Sequence, residues 1–317
     1  MSVDRTPTKV SVIGAGAVGS SVALSILLKG AAQQVVLQDI NEAKASAEAA
    51  DMAHGSAFYP AAQIEGTADV DATANSDVIV VTAGAKQQPG QSRLDLAGAT
   101  VGLIKKILPP LVDRSPNARF IMVTNPVDVT TEAAIHITGL PRERMFGSGT
   151  VLDSARLRYQ VSRATKVAVR NVHAYMVGEH GDTETPLWSA ARIGGVPLLD
   201  WERQTGLLGP EVREKIAHDT IYAAYKIIEG KGATNHAIGL AATEIVQAVI
   251  RDENRILPVS SHLEDWLGIK DVTMSVPTLV GGHGAAQPFE LDVTDDELTA
   301  LRRSGETIKR ELVNLGF

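Results

Sequence analysis

KVSVIGAGAVGSSVALSILLKGAAQQVVLQD, residues 9–39, is the stretch from which the fold can be read. Lys9–Ile13 is a short apolar run that stops at a glycine, as a buried strand does. Gly14-Ala15-Gly16-Ala17-Val18-Gly19 follows, Ser20–Leu28 has helical character, and Gln34–Asp39 is a second strand ending in an acid. Strand, glycine turn, helix, strand and terminal acid in so short a span describe one βαβ unit. Gly14 permits the tight turn, Gly16 lets the backbone approach a pyrophosphate, and Gly19 lets the helix lie on the strand. The helix N-terminus then offers amide donors and the positive end of its dipole to the phosphates. Asp39 is placed to bond ribose hydroxyls and would repel the extra phosphate that NADP carries there, so NAD is the expected cofactor.

Outward from this unit the alternation continues. Asn41–Met52 reads as an Ala- and acid-rich helix capped by Asn41. Asp77–Ala83 and Phe120–Thr124 read as further buried strands, ended by Gly84 and by Asn125-Pro126. Residues 85–93 are too polar and too rich in Pro and Gly for an element. They lie where a parallel sheet binds ligands, as a plain loop or as a lid, and Arg93 begins the helix that follows. Asn125 at the same edge either contacts a ligand or caps a helix beginning at Val127. After about residue 148 the pattern changes: Glu211–Glu229 and Asn235–Arg251 read as helices, and Leu257–Ser260 and Asp271–Pro277 as strands. Thr294–Asn314 is a closing amphipathic helix with a Thr294/Glu297 capping box. The expectation is an α/β protein: a Rossmann-type parallel sheet with helices on both faces over 1–147, then a mixed α+β substrate domain over 148–317.

Composition narrows the function. A net charge of −7 argues against a nucleic-acid or anionic-membrane surface. The absence of cysteine excludes disulfides, thiolate metal sites and a thiol nucleophile. Met1–Thr8 is polar with no apolar segment behind it, so no signal peptide is expected. Ala17–Leu28, the most apolar helix candidate, is too short to cross a bilayer. The expectation is a cytoplasmic protein.

The chemistry gathers at residues 148–182. Asp153 and Arg156 are three residues apart and share a helix face. A strand-like segment, Asn171–Val177, leads to His180 between two glycines in Gly178-Glu179-His180-Gly181-Asp182. A carboxylate on one ring nitrogen would fix the imidazole tautomer and favour its charged form, making His180 a proton donor to a substrate carbonyl. Arg156 is suited to a two-pronged grip on a substrate carboxylate, and Arg93 to charge growing on the carbonyl oxygen. The histidine spacing fits no zinc site, and no acidic cluster suggests magnesium, so no metal is expected.

Six motifs carry a wider resemblance: GAGAVGS at 14–20, QQPGQSR at 87–93, TNPVD at 124–128, LDSAR at 152–156, GEHGD at 178–182 and KGAT at 231–234. In that order and spacing the chain resembles the NAD-dependent L-lactate dehydrogenases of the lactate/malate dehydrogenase superfamily over nearly its whole length. The resemblance implies His180 as proton donor and acceptor, Asp153 as its partner, Arg156 as carboxylate anchor and Arg93 as the loop arginine. It implies that Asn125 contacts substrate and cofactor, and that Thr234 lines the substrate pocket. Val18, Asp39 and Lys44 fall at cofactor positions, and Gly84 and Val123 are counted with them. Gln87 stands where the malate branch has an arginine, which implies pyruvate/lactate rather than oxaloacetate/malate. Arg158 and His173 match residues with which allosteric bacterial members bind fructose 1,6-bisphosphate, and the family's habit is the homotetramer. His236 departs from the pattern, where tyrosine is common.

Overall fold

The computed structural model describes residues 7–85 and 93–317, with the side chains of Arg93 and Leu94 left out. Its first half is β1 (Lys9–Ile13), α1 (Ala17–Lys29), β2 (Gln34–Gln38), α2 (Glu42–His54), β3 (Gln63–Thr67), β4 (Val78–Val81), α3 (Arg93–Arg114), β5 (Arg119–Met122), α4 (Val127–Thr138) and β6 (Met145–Gly147). These six strands run parallel in the order β3-β2-β1-β4-β5-β6. The chain reverses its direction of travel across the sheet between β1 and β4. In open parallel sheets such a reversal is where a crevice for ligands lies, beyond the carboxyl ends of the strands.

Strand composition explains the two covered faces. Val78 and Val80 of β4 point into one core with Val22 and Ile26 of α1, whereas Ile79 and Val81 point into the other with Ile104 and Leu108 of α3. Apolar residues on both faces of consecutive positions are what a sheet between two helix layers requires. The glycine turn behaves as its sequence implied. Gly14 has φ +103°, and a Cβ on Gly19 would lie 1.8 Å from the Gly14 carbonyl oxygen, so α1 can press onto β1 only without one.

The second half comprises α5 (Val151–Thr165), β7 (Val172–His173), β8 (Met176–Val177), β9 (Thr185–Pro186), β10 (Arg192–Ile193), β11 (Val196–Pro197), α6 (Leu198–Thr205), α7 (Pro210–Ile221), α8 (Ala223–Lys231), α9 (His236–Ile250), β12 (Arg255–Leu263), β13 (Val272–Gly281), β14 (Gly284–Pro288) and α10 (Asp295–Asn314). β12, β13 and β14 form an antiparallel meander that joins β6 through the Ser260–Gly147 pairing. Among the described residues the large sheet therefore has nine strands and spans both halves. α9 returns to lie on α1, close enough that a Cβ on Gly239 would meet the Ser21 carbonyl oxygen at 2.7 Å.

The expected fold class is the one observed, and several elements differ from their sequence reading. Asn171–Val177 is two strands, β7 and β8, in different sheets. The main chain between them is taken by other partners: Arg158 Nε donates to the Ala174 carbonyl and Leu187 N to the Tyr175 carbonyl, both at 3.0 Å, while Met176 N at the start of β8 donates to Ser154 Oγ at 2.8 Å. The helix expected over Glu211–Glu229 is broken at Tyr222, whose ring lies against His218 and Tyr225. β3, β6 and β14 had no counterpart in the sequence reading. Asn41 caps α2 by accepting from Lys44 N, and Thr294 with Glu297 forms the capping box of α10.

Candidate active site

His180 sits in the turn of the β8–β9 hairpin, whose register pairs Met176 with Pro186 and Val177 with Thr185. The turn is pinned from three sides. Gly178 exchanges backbone hydrogen bonds with Ser275 of β13 at 2.8 and 2.9 Å. Glu179 N donates to Ser304 Oγ of α10, and His180 N donates to Asp128 Oδ2 of α4, both at 2.6 Å. Gly178 has φ +99°, and a Cβ there would lie 2.6 Å from Ser304 Oγ, so this corner requires glycine. Asp128 and Ser304, both buried, were not singled out in the sequence. Asp128 lay inside the TNPVD motif as a bare signature, and Ser304 looked like one more polar helix position.

Asp153 and Arg156 face this turn from α5. Asp153 Oδ2 lies 2.7 Å from His180 Nδ1, and Asp153 Oδ1 accepts from Arg156 Nη1 at 2.6 Å. Asp153 is in the first turn of α5, where the helix dipole favours a negative charge. Burial would raise its pKa, but the His180 charge and hydrogen bond, followed by Arg156, hold it below the usual carboxylate value. Burial also opposes charge on His180, yet Asp153 outweighs it and lifts the imidazole to about 9. The pair is thus built as carboxylate and imidazolium. Beneath it, Asp128 is pushed up to about 6 by burial, against the bonds from Ser260 and His180 that favour its ionised form.

These groups open onto a cavity of about 500 Å³. Asp153, Arg156, His180, Asn125 and Pro126 line it together with Ile221 of α7 and Tyr225 and Ile228 of α8. Asn125 does not cap α4, whose N-cap position is Pro126. Thr234, in the turn between α8 and α9, is not among the described residues lining the cavity. Gln87 lies outside the described residues, as does the side chain of Arg93 at the start of α3.

The other candidate set stands at the sheet crevice. Gly14 and Gly16 precede α1, Val18 and Gly19 are in its first turn, and Gly84, Val123 and Asn125 follow β4 and β5. A Cβ on Gly16 would meet nothing within 4 Å, so the turn is open on the side from which phosphates approach. Asp39 Oδ2 accepts from Ala15 N at 2.7 Å and Oδ1 from Asn41 N at 2.9 Å, which fixes the acid beside the glycine turn. Lys44 is on the exposed face of α2. This cradle fits a dinucleotide: space at the helix N-terminus for pyrophosphate and a fixed carboxylate for ribose. Elsewhere, Arg158 is half-buried against the Tyr175 ring, with burial and the nearby Arg255 lowering its pKa, while His173 is exposed on β7.

A dinucleotide crevice beside an imidazole–carboxylate–guanidinium cluster defines an NAD-dependent dehydrogenase. Residues 8–147 match the lactate/malate dehydrogenase NAD-binding domain and residues 150–315 the alpha/beta C-terminal domain of the same family. The chain belongs to the lactate/malate dehydrogenase family. It is 51% identical over 313 residues to the L-lactate dehydrogenase of Bifidobacterium animalis subsp. lactis, covering 98% of each chain. It is 43% identical over 306 residues to L-lactate dehydrogenase 1 of Clostridium acetobutylicum, covering 96% of this chain and 97% of that one. Among solved structures, the minor L-lactate dehydrogenase of Enterococcus mundtii superposes with a TM-score of 0.95 at 32% identity, over 98% of both chains. A lactate dehydrogenase from a Medee basin deep-sea metagenome superposes with a TM-score of 0.94 at 34% identity, over 99% of this chain and 100% of that one.

Proposed function

We propose that this chain is an L-lactate dehydrogenase, converting pyruvate, NADH and a proton to L-lactate and NAD, reversibly. The observation that carries the reading is the Arg156–Asp153–His180 chain of contacts at 2.6 and 2.7 Å on one wall of one cavity. The relatives' names supply the L-lactate specificity, and Gln87 agrees with it: a neutral amide gives no charge partner for the second carboxylate of oxaloacetate.

Gly14, Gly16, Val18, Gly19, Asp39, Lys44, Gly84, Val123 and Asn125 hold the cofactor in this reading. Bound NADH supplies the hydride. Arg156 grips the pyruvate carboxylate and turns its carbonyl toward His180. Asp153 holds Nδ1, so that Nε2 of the imidazolium faces the substrate and gives its proton to the carbonyl oxygen. In the reverse direction neutral His180 takes the proton back from the lactate hydroxyl. Arg93 stabilises the charge growing on the oxygen, and Thr234 and Asn125 complete the substrate contacts.

Fructose 1,6-bisphosphate as an activator belongs to the same proposal. Arg255 is close enough to disfavour the charge on Arg158, which a bound phosphate would relieve, and His173 is adjacent to the Ala174 carbonyl that Arg158 holds. Exposed Leu24 and Leu28 on α1 and Leu240 on α9 support assembly, read as a homotetramer. Among the described residues no helix is long and apolar enough to cross a membrane; a cytoplasmic location belongs to the same proposal. The deciding experiment follows NADH absorbance on adding pyruvate, then oxaloacetate, with and without fructose 1,6-bisphosphate. Faster turnover of pyruvate, and a saturation curve moved to lower pyruvate by the bisphosphate, are expected. Preference for oxaloacetate would replace the reading with malate dehydrogenase, and an unmoved curve would remove the activator.

A further inference from the structure

The β8–β9 hairpin returns the chain four residues after His180, and Glu184 arrives beside the proton-transfer pair. Glu184 is 5% exposed and lines the cavity, yet among the described residues its Oε2 has no hydrogen-bond partner. One oxygen of Glu184, one oxygen of Asp153 and one ring nitrogen of His180 all lie within 4.8 Å of one another. Two carboxyl groups so close and so dry cannot both be ionised, and the one without donors around it is the one that keeps a proton. Asp153 already holds an arginine and a histidine, whereas Glu184 is left with an empty oxygen.

We propose that Glu184 is a positioning residue for the reaction above: its carboxyl group donates a hydrogen bond to the Asp153 carboxylate and limits how tightly that carboxylate holds the His180 proton. The inference rests on the assignment of His180 as proton donor. The electrostatics agree. Burial first, and Asp153 second, push Glu184 well above the ordinary glutamate range, against the charges of His180 and Arg156. The charged groups around it are Asp153 and Arg156 of α5 and His180 of its own turn, with Asp128 of α4 behind His180. With Glu184 neutral, Asp153 ionised and both cations present, the four groups facing the cavity (Glu184, Asp153, His180 and Arg156) carry a net positive charge, as capture of a substrate carboxylate requires. An ionised Glu184 would cancel it and would itself raise the His180 pKa, an alternative that the variant titrations separate.

The sign of one shift tests the idea. The His180 titration is followed by NMR of imidazole-labelled full-length protein, assigned by its loss in His180→Asn, alongside the pH profile of pyruvate-dependent NADH oxidation. Glu184→Leu fills the space without a donor, so Asp153 holds the proton harder and the His180 midpoint rises by roughly one pH unit. Glu184→Gln keeps a neutral donor, so its midpoint stays with the wild type and it recovers most of the roughly ten-fold kcat/KM that Glu184→Leu loses. If Glu184 were ionised, both variants would lower the midpoint. A fall in both, or three coincident titrations, would overturn the proposal. Should Glu184→Leu not fold, Glu184→Ala takes its place beside Glu184→Gln: a raised midpoint in the alanine variant with a steady one in the glutamine variant supports the proposal, and coincident or lowered midpoints overturn it. A wild type that leaves pyruvate unreduced sinks the dehydrogenase reading, while the titrations still judge Glu184.

Discussion

In the proposed reaction Arg156 and His180 divide the work on the substrate, and each has its own signature in kinetics. Arg156→Lys keeps the charge and loses the planar fork, so KM for pyruvate should rise roughly 10- to 100-fold, about 1.4–2.8 kcal/mol, with a smaller change in kcat. A KM within two-fold of the wild type would remove Arg156 from carboxylate binding. His180 titrates at about 9, so kcat/KM for pyruvate should be level through neutral pH and fall above about 9, as the donor loses its proton. Lactate oxidation needs the neutral ring and should rise over the same range. The same shift has a stability consequence with a definite sign. A folded-state pKa above the unfolded value near 6.5 stabilises the protein fully below about 6.5, and that contribution is lost as the pH climbs through 9. A pyruvate profile already falling near pH 6.5 would mean that Asp153 does not hold the proton. At Gln87 the prediction concerns specificity: Gln87→Arg should move the ratio of kcat/KM toward oxaloacetate by at least ten-fold, and an unmoved ratio would assign the choice elsewhere.

At the scale of elements, the hairpin turn at 178–184 is the piece on which the site depends. It is held by β13 through Gly178, by α10 through Ser304 and by α4 through Asp128, so three separate segments fix one imidazole. Gly178→Ala should therefore lower stability by about 2–4 kcal/mol, since it meets both a positive φ and the Ser304 hydroxyl. A melting temperature within 1–2 °C of the wild type would show that the corner relaxes cheaply, by the size expected for a chain of this length. The turn also marks how far the sequence could be read. Asp153, Arg156 and His180 stood out because charged side chains at helical spacing, and a histidine between glycines, have few structural uses. Glu184, Ser304 and Asp128 did not, because their roles arise from contacts between segments distant in the chain. The same holds for strands. β1, β2, β4 and β5 were legible as apolar runs buried on both faces, whereas β3 (QIEGT) and β6, three residues long, are strands because neighbours pair with them. Asn171–Val177 is apolar enough for one strand, but the α5 side chain of Arg158 claims its middle at Ala174 and that of Ser154 the N–H of Met176.

Across the whole molecule, the crevice at the sheet and the cavity beside α5 are joined by Asn125, which follows β5 and also lines the cavity. The large sheet runs from β3 to β14 through both halves, so the cofactor cradle and the proton-transfer pair hang from one framework. In the proposed reaction one ligand must meet Arg156 and His180 together while the dinucleotide lies in the crevice. A crystal structure with NADH and oxamate, a pyruvate analogue that cannot be reduced, measures this directly. The oxamate carboxylate should take two hydrogen bonds from Arg156, and its amide carbonyl oxygen one from His180 Nε2, each near 2.7–3.0 Å. Oxamate bound elsewhere, or an Arg156 turned into solvent with His180 out of hydrogen-bond reach, would contradict the account.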